Sequence, residues 1–421
     1  MNQTFTMKKL KFLLFAVLFC TPLIAVAQNI EINVGNFPDE NFRSWLLEQD
    51  YGKDGILTEE EIEKVIEIVV PERNISSLKG IEYFTALIYL DCYNNQLTSL
   101  DVSHNLVLTE LYCFENQLTS LNVSGCPALT YLSCDENQLT SLDVSHNLAL
   151  TELHCSYNQL TTLDVSQNIA LTSLWCYYNQ LTSLDVSQNT ALIGLLCWNN
   201  RLSLLDLSKN IALTELICYD NQLSTLDVSN NTALTGLVCS RNQLTSLDVS
   251  HNPDMYYLYC DGNQLKALDV SQNTALSYLD CGFNQLTSLD VSKNPALTTL
   301  YCCTNQIKGE AMDALISTLP QNTSTDVYGL YVYDSIAFGE GNVCTQKQVA
   351  TAKDKGWTSY YRNAEWEWIV YEGCDDAAGI ALPELTTENG DAPVYNLSGQ
   401  KVTSPVKGGI YVVDGKKVVV K

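Results

Sequence analysis

Eleven cysteines recur at a spacing of 21 residues: Cys92, Cys113, Cys134, Cys155, Cys176, Cys197, Cys218, Cys239, Cys260, Cys281 and Cys302. Each holds the same place in the frame L-x-x-L-x-C-x-x-N-x-L, as in Leu87-x-x-Leu90-x-Cys92-x-x-Asn95-x-Leu97, with Met255 and Ile307 each standing once for a leucine. A strict period of this length leaves few ways to fold. One unit cannot bury its apolar face alone, so consecutive units must stack into a solenoid with a continuous core. Leucine and cysteine two residues apart mark a short strand with both side chains turned inward. The strands of successive units then form a parallel sheet, and the residues flanking each leucine and cysteine look outward.

This frame is the leucine-rich repeat, with cysteine at one of its buried apolar positions. The expected fold class is a leucine-rich-repeat solenoid of 21-residue repeats over residues 68–307, with the parallel β-sheet on its concave face. The second half of each unit, such as Leu163-Asp164-Val165-Ser166, also alternates, and 21 residues leave little room for a helix. The outer wall is therefore expected to consist of short strands or turns. Asparagine recurs once per unit from Asn95 to Asn305. Buried amides at that position would satisfy turn backbone groups on their own and neighbouring rungs. A second column, on the outer wall, holds Asp101, Asp143, Asp164, Asp185, Asp206, Asp227, Asp248, Asp269 and Asp290, with Asn122 once. Stacked carboxylates repel, so either turn amides and hydroxyls hold each one or cations lie among them. The hydrogen-bonded arrangement is expected, because no second acidic residue recurs in the unit to complete a metal shell.

Lys8, Lys9 and Lys11 precede an apolar run from Phe12 to Val26, and Ala25-Val26-Ala27 supplies small residues for cleavage. Residues 1–27 read as a secretory signal peptide. Phe19 before Cys20 is too bulky for a lipoprotein signal, so no lipid anchor is expected, and no later run is apolar enough to span a bilayer. Export would ordinarily pair cysteines. On adjacent parallel rungs, however, the thiols would lie ~4.8 Å apart with parallel Cβ vectors, whereas a disulfide needs Cβ atoms converging to ~3.8 Å. The column is expected to be buried and reduced. Cys344 and Cys374 lie outside it, and whether they bridge is left open.

Both ends of the solenoid need covers. Residues 28–67 read as a helical cap, beginning with an amphipathic helix near Phe42, Trp45 and Leu46. Asp50-Tyr-Gly-Lys-Asp54-Gly55-Ile56-Leu-Thr58-Glu-Glu-Glu61 has the spacing of a calcium loop. Asp50, Asp54 and Glu61 fall at loop positions one, five and twelve, Gly55 at six and the Ile56 carbonyl at seven. Gly52 stands where a third oxygen ligand is expected, so the segment reads either as a calcium site or as a cap that only resembles one. A second helical stretch is expected through Ile68. Residues 308–374 read as an α/β carboxy-terminal cap, with helices at Glu310–Leu319 and Thr345–Lys355 and strands at Tyr328–Asp334 and Trp357–Tyr361. Residues 375–392 form a polar linker, and 393–421 a small β segment around an Asp414-Gly415 hairpin.

The flanking strand positions supply the candidate site. Eleven rungs offer 33 of them, of which thirteen are aromatic, about four times the chain-wide 9%. Seven are acidic (Asp91, Glu110, Asp135, Glu152, Glu215, Asp261 and Asp280), and none is lysine or arginine. The expected ligand-binding residues are Tyr112, Tyr131, His154, Trp175, Tyr177, Trp198, Tyr219, Tyr257 and Tyr259. Rigid aromatic side chains give large contact area at low entropy cost, and their faces suit the apolar faces of sugars. Aromatic residues also fit strands and stack along a ladder without any ligand. His154 is the one histidine on this face. With no nucleophile beside it, it reads as a plain surface residue, and catalysis is not expected. The formal charge is −25, falling to −28 without the three signal lysines. Such a field disfavours nucleic acid and anionic membrane.

The unit Leu-Thr-x-Leu-x-Cys-x-x-Asn-Gln-Leu-Thr-Ser-Leu-Asp-Val-Ser over residues 87–307 resembles the internalin family of bacterial surface proteins, in its cysteine-ladder form. The resemblance implies a curved solenoid, an EF-hand-like amino-terminal cap carried by Asp50, Asp54, Gly55 and Glu61, and adhesion to host ligands. No LPxTG-type motif is present, so attachment is expected to differ. Val394-Tyr-Asn-Leu-Ser-Gly399, Gly409-Ile-Tyr-Val and Lys417-Val-Val-Val-Lys421 are similar to the sorting domain read by the type IX secretion system. Together these imply a monomeric, secreted or surface-displayed protein that binds a host protein or glycan. A structural surface component without a dedicated ligand is the alternative, and an exported enzyme a more distant one.

Overall fold

The computed structural model describes residues 29–322 and 325–375 and the strands Val394–Tyr395, Ile410–Val413 and Lys416–Val419. The expected signal peptide (1–27) and the expected linker beyond residue 375 lie outside the described residues. The central feature is a 15-stranded sheet running in chain order from Glu67–Val69 to Trp368–Val370. From Glu67–Val69 to Trp357–Arg362 all its pairings are parallel, and within the repeats each residue pairs with the one 21 positions on, as Leu174 with Leu195. The core leucines and all eleven column cysteines are fully buried. Period-two alternation thus places leucine and thiol inside, as expected.

Several thiols also donate weakly to the next rung, as Cys92 does to the Tyr112 carbonyl at 3.4 Å and Cys113 to Ser133 at 3.4 Å. Burial raises thiols such as Cys176 and Cys218 well above their ordinary pKa, and Cys197 and Cys239 to about 12. They behave as small hydrophobes, not as nucleophiles. Cys374 donates to the Cys344 carbonyl at 3.4 Å, and its neighbourhood is fastened by a bridge between Thr345 and Cys374.

The asparagine ladder is a two-rung clamp. Asn179 donates to the carbonyls of Cys176 (3.1 Å), Tyr177 (3.3 Å) and Cys155 on the preceding rung (3.0 Å), and accepts from Leu160 N–H (2.9 Å). Before each asparagine one residue adopts positive φ, among them Tyr157, Tyr178, Asn199 and Asp220 near 50°, which turns the chain off the sheet.

A second buried ladder, which the sequence reading did not single out, runs along the outer side from Asn105 to Asn294. Asn168, for example, donates to Val144 and Asn147 carbonyls at 2.9 Å each. At one rung Cys126 stands in its place and donates to Val102 at 3.2 Å. The outer wall itself is turns after two short strands, Ser99–Asp101 and Ser120–Asn122. Each aspartate of its column accepts from the serine N–H two residues on, as Asp164 does from Ser166 at 2.9 Å. These bonds hold Asp164, Asp185 and Asp206 below the usual carboxylate range, which is the hydrogen-bonded arrangement expected above.

At the amino-terminal end, α1 (Glu40–Glu48) is capped by Asp39 and buries Phe42, Trp45 and Leu46 against the first rungs. The following helix, α2, spans only Glu59–Ile62, not the stretch through Ile68 expected from the sequence. The chain instead enters the sheet at Glu67–Val69, because β-branched Val65, Ile66 and Ile68 favour the strand that pairs with Tyr89–Asp91.

At the other end the helices and strands fall where predicted, as α3 (Glu310–Thr318), Tyr328–Asp334, α4 (Gln346–Asp354) and Trp357–Arg362. They are not a separate layer, however. Leu300 pairs with Leu330, thirty residues on, so the same sheet continues through a longer rung that has room for a helix. Strand Trp368–Val370 then ends it antiparallel. The tail strands pair antiparallel, with Val413 opposite Lys416 around the expected hairpin.

Candidate functional site

Strand pairing places the outward residues of the parallel sheet in straight columns, and the rings in those columns meet. Tyr112 stacks on Tyr131 (4.7 Å between centroids), Tyr131 meets His154 edge-on (5.2 Å), and His154 stacks on Trp175 (3.9 Å, 7°). Trp175 lies 6.5 Å from Tyr177, which stacks on Trp198 at 3.7 Å and 7°, and Trp198 on Tyr219 at 5.5 Å. Seven of the nine expected residues thus form one diagonal ribbon. Tyr257 and Tyr259 belong to a second ribbon, continued by Tyr278, Tyr301, Tyr331 and Tyr360 into the carboxy-terminal rungs. Between the ribbons the rung of Gly236, Val238 and Ser240 carries no ring.

The stacking changes what the face offers. Where successive rings lie parallel, their faces are spent on each other, and edges and hydroxyls look into the hollow. Sugar-stacking platforms, expected from the composition, remain only where a ribbon ends.

His154 is not the plain surface residue expected from its position. It is 7% exposed, its Nδ1 lies 3.2 Å from the Tyr131 hydroxyl, and its Nε2 has no hydrogen-bond partner. Burial lowers its pKa from 6.5 to about 4. The unfolded chain therefore binds a proton first as pH falls, and the stability held above pH 6.5 is lost towards pH 4. The expected cost is about 1–2 kcal/mol. His154→Phe should flatten that part of the pH–stability curve, and the His154 ring resonances should not titrate between pH 5 and 7. A midpoint near 6.5 would contradict the burial.

The carboxylates fall into two classes. Asp135, drawn in among Ser133 (2.9 Å) and the Ser156 N–H (2.7 Å), is pushed upward by burial. Burial, and then the charge of Asp261, push the Asp280 carboxyl well above the usual carboxylate range. Glu215 instead accepts the Tyr257 hydroxyl at 2.7 Å.

The amino-terminal loop residues are engaged otherwise. Asp50 pairs with Lys53, Asp54 accepts the Ile56 N–H at 3.1 Å, and Glu61 closes a capping box with Thr58 (2.9 and 2.7 Å). Among the described residues no group of three histidine, cysteine or acidic side chains is gathered for a metal. In this arrangement Glu61 caps α2. Among the described residues no helix is long and apolar enough to cross a membrane.

No family model matches the sequence, and no curated protein matches it. Solved structures do. An internalin (InlF) from Listeria monocytogenes aligns over 80% of this chain and 98% of its own at 24% identity, with a TM-score of 0.66. The functional domain of InlJ from Listeria monocytogenes, which includes a cysteine ladder, aligns over 94% and 99% at 27% identity and TM-score 0.45. A leucine-rich-repeat protein of Leptospira interrogans aligns over 68% and 79% at 22% identity and TM-score 0.54. The chain is a leucine-rich-repeat solenoid with the fold of an internalin.

Proposed function

We propose that this is an exported binding protein that engages a host protein or glycan through the aromatic, acidic wall of its concave sheet. Internalin-like leucine-rich-repeat folds are generally protein-binding and adhesion modules. The observation that carries the reading for this chain is the ribbon centred on Trp175, Tyr177, Trp198 and Tyr219. It is pre-stacked and rigid, and the 33 outward strand positions around it include no lysine or arginine. Preordered rings lose little entropy on binding. The amino-terminal apolar run supports export, and the tail motifs support delivery by a type IX-like route. The buried thiols give no support to catalysis.

A structural surface component is the second reading, favoured by the same ring-on-ring contacts. Binding to host-protein and glycan arrays by the parent and by Trp175→Ala/Trp198→Ala separates the two. Loss of two central anchors should weaken binding by about 10–100-fold with the fold retained. Unchanged binding would remove the concave wall from the account.

A further inference from the structure

At the start of the second aromatic ribbon lies an open cavity of about 390 Å³, within the range of small-ligand sites (~300–1,000 Å³). Ile217 and Val238 form its apolar floor, and Tyr257 and Tyr259 its walls. Those two rings meet at 75° with centroids 5.9 Å apart, making a corner. Tyr259 packs one face on Tyr278 at 4.6 Å. Its other face has no ring on the preceding rung, where Val238 stands, and so borders the cavity.

Tyr257 is fixed by an unusual reach. Its hydroxyl extends two rungs back to Glu215, passing over Gly236, where an added Cβ would lie 2.1 Å from the ring. Only glycine at 236 lets the wall close onto that carboxylate. Here an uncovered tyrosine face and a second ring at a right angle border open space, and the Tyr257 hydroxyl ties that corner to the Glu215 carboxylate beside it.

We propose that this corner is a cation-recognition site that receives a lysine or arginine side chain from a protein partner. The proposal rests on the concave wall being the binding face, and it narrows the partner from protein or glycan to a basic protein surface. Ring faces carry the negative part of the aromatic quadrupole and attract ammonium and guanidinium groups, more strongly where water is excluded. An alkyl stem would lie on Ile217 and Val238 while its charge meets Tyr259 and Glu215, the arrangement long basic side chains favour. The acidic wall around it would steer such a partner inward. The nearest arginine, Arg241, is drawn off towards Asp220 at 3.4 Å and does not compete.

The test uses the full chain and three probes: an end-blocked glycine–serine peptide carrying two lysines, the same peptide with leucines, and maltoheptaose. Calorimetric titration should give the lysine peptide at least tenfold tighter binding than either other probe. Glu215→Gln, which keeps a hydrogen-bond acceptor for Tyr257, should weaken it about tenfold, and Gly236→Ala, which displaces Tyr257, by a similar factor. Glu40→Gln, the same charge change in the amino-terminal helix and off the concave wall, should alter it less than twofold.

Equal binding of the leucine peptide, preferential binding of maltoheptaose, or equal losses from Glu215→Gln and Glu40→Gln would overturn the proposal. If Trp175→Ala/Trp198→Ala weakens the lysine peptide while Glu215→Gln does not, the concave face stands and the corner falls. If neither variant changes it, both fall.

Discussion

Asn179→Ala should destabilise the protein by about 3–4 kcal/mol in urea unfolding, far more than an average substitution. The amide touches four backbone groups on two turns of chain, and truncation strands the Leu160 N–H and leaves the carbonyls of Cys155 and Cys176 with only Asn158 and Asn200 as amide donors, in a region water does not reach. Each stranded group costs about 1–3 kcal/mol, so partial relaxation still leaves a large loss. The second ladder provides the internal comparison. Asn189 donates to Val165 and Asn168 carbonyls at 2.9 Å, but its own carbonyl oxygen accepts nothing. Its truncation removes two donors and strands no N–H, so Asn189→Ala should cost about 1–2 kcal/mol less. The chain itself holds a replacement at that column in Cys126, and none at the first column between Asn95 and Asn305. Equal costs at the two sites would mean that the clamp does not set rung stability.

Arg362→Met should cost about 3 kcal/mol and loosen the carboxy-terminal rungs first. Arg362 donates through Nε to Asp334 at 2.9 Å and through Nη2 to the same oxygen, while Asp334 is 0% exposed. Rings of Phe283, Trp366 and Trp368 surround the guanidinium at 5.6, 5.0 and 5.6 Å. Removing the cation leaves a buried carboxylate without its counter-charge, the costly way to break such a pair. Replacing both partners, as Asp334→Asn with Arg362→Met, should recover at least half of the loss. Hydrogen exchange of strands Tyr328–Asp334 and Trp357–Arg362 would report the loosening, and unchanged protection there would show that the pair is dispensable.

The repeat made the solenoid legible because a 21-residue frame with two inward positions admits one strand register, and a one-residue slip would expose every leucine. The first asparagine ladder was legible for a related reason: a polar residue recurring among buried ones needs partners, and only turn backbone lies in reach. Two features of the fold were not legible. The second asparagine column sits between polar serine and variable residues, so nothing in its local pattern marks Asn168 as buried. The longer carboxy-terminal rungs break the period at Gly309, which hides that Leu330 continues the column of Leu300.

At the site, sequence spacing put Tyr177, Trp198 and Tyr219 in a column. It could not show that the rings turn their faces to each other, because ring orientation is set by contacts between rungs. The same holds for His154, read as exposed and in fact enclosed by Tyr131 and Trp175, and for Tyr257, whose partner Glu215 lies 42 residues away.

All of this depends on the eleven column thiols lying inside, so that the aromatic and acidic residues beside them form the concave wall. Alkylation of the folded protein without reductant, followed by unfolding, a second isotopically distinct alkylation and peptide mass analysis, reads each cysteine separately. The account predicts that Cys92 to Cys302 take the first label negligibly and the second completely. Rapid labelling of the column in the folded state, or no labelling after unfolding because the sulfurs are cross-linked, would contradict it.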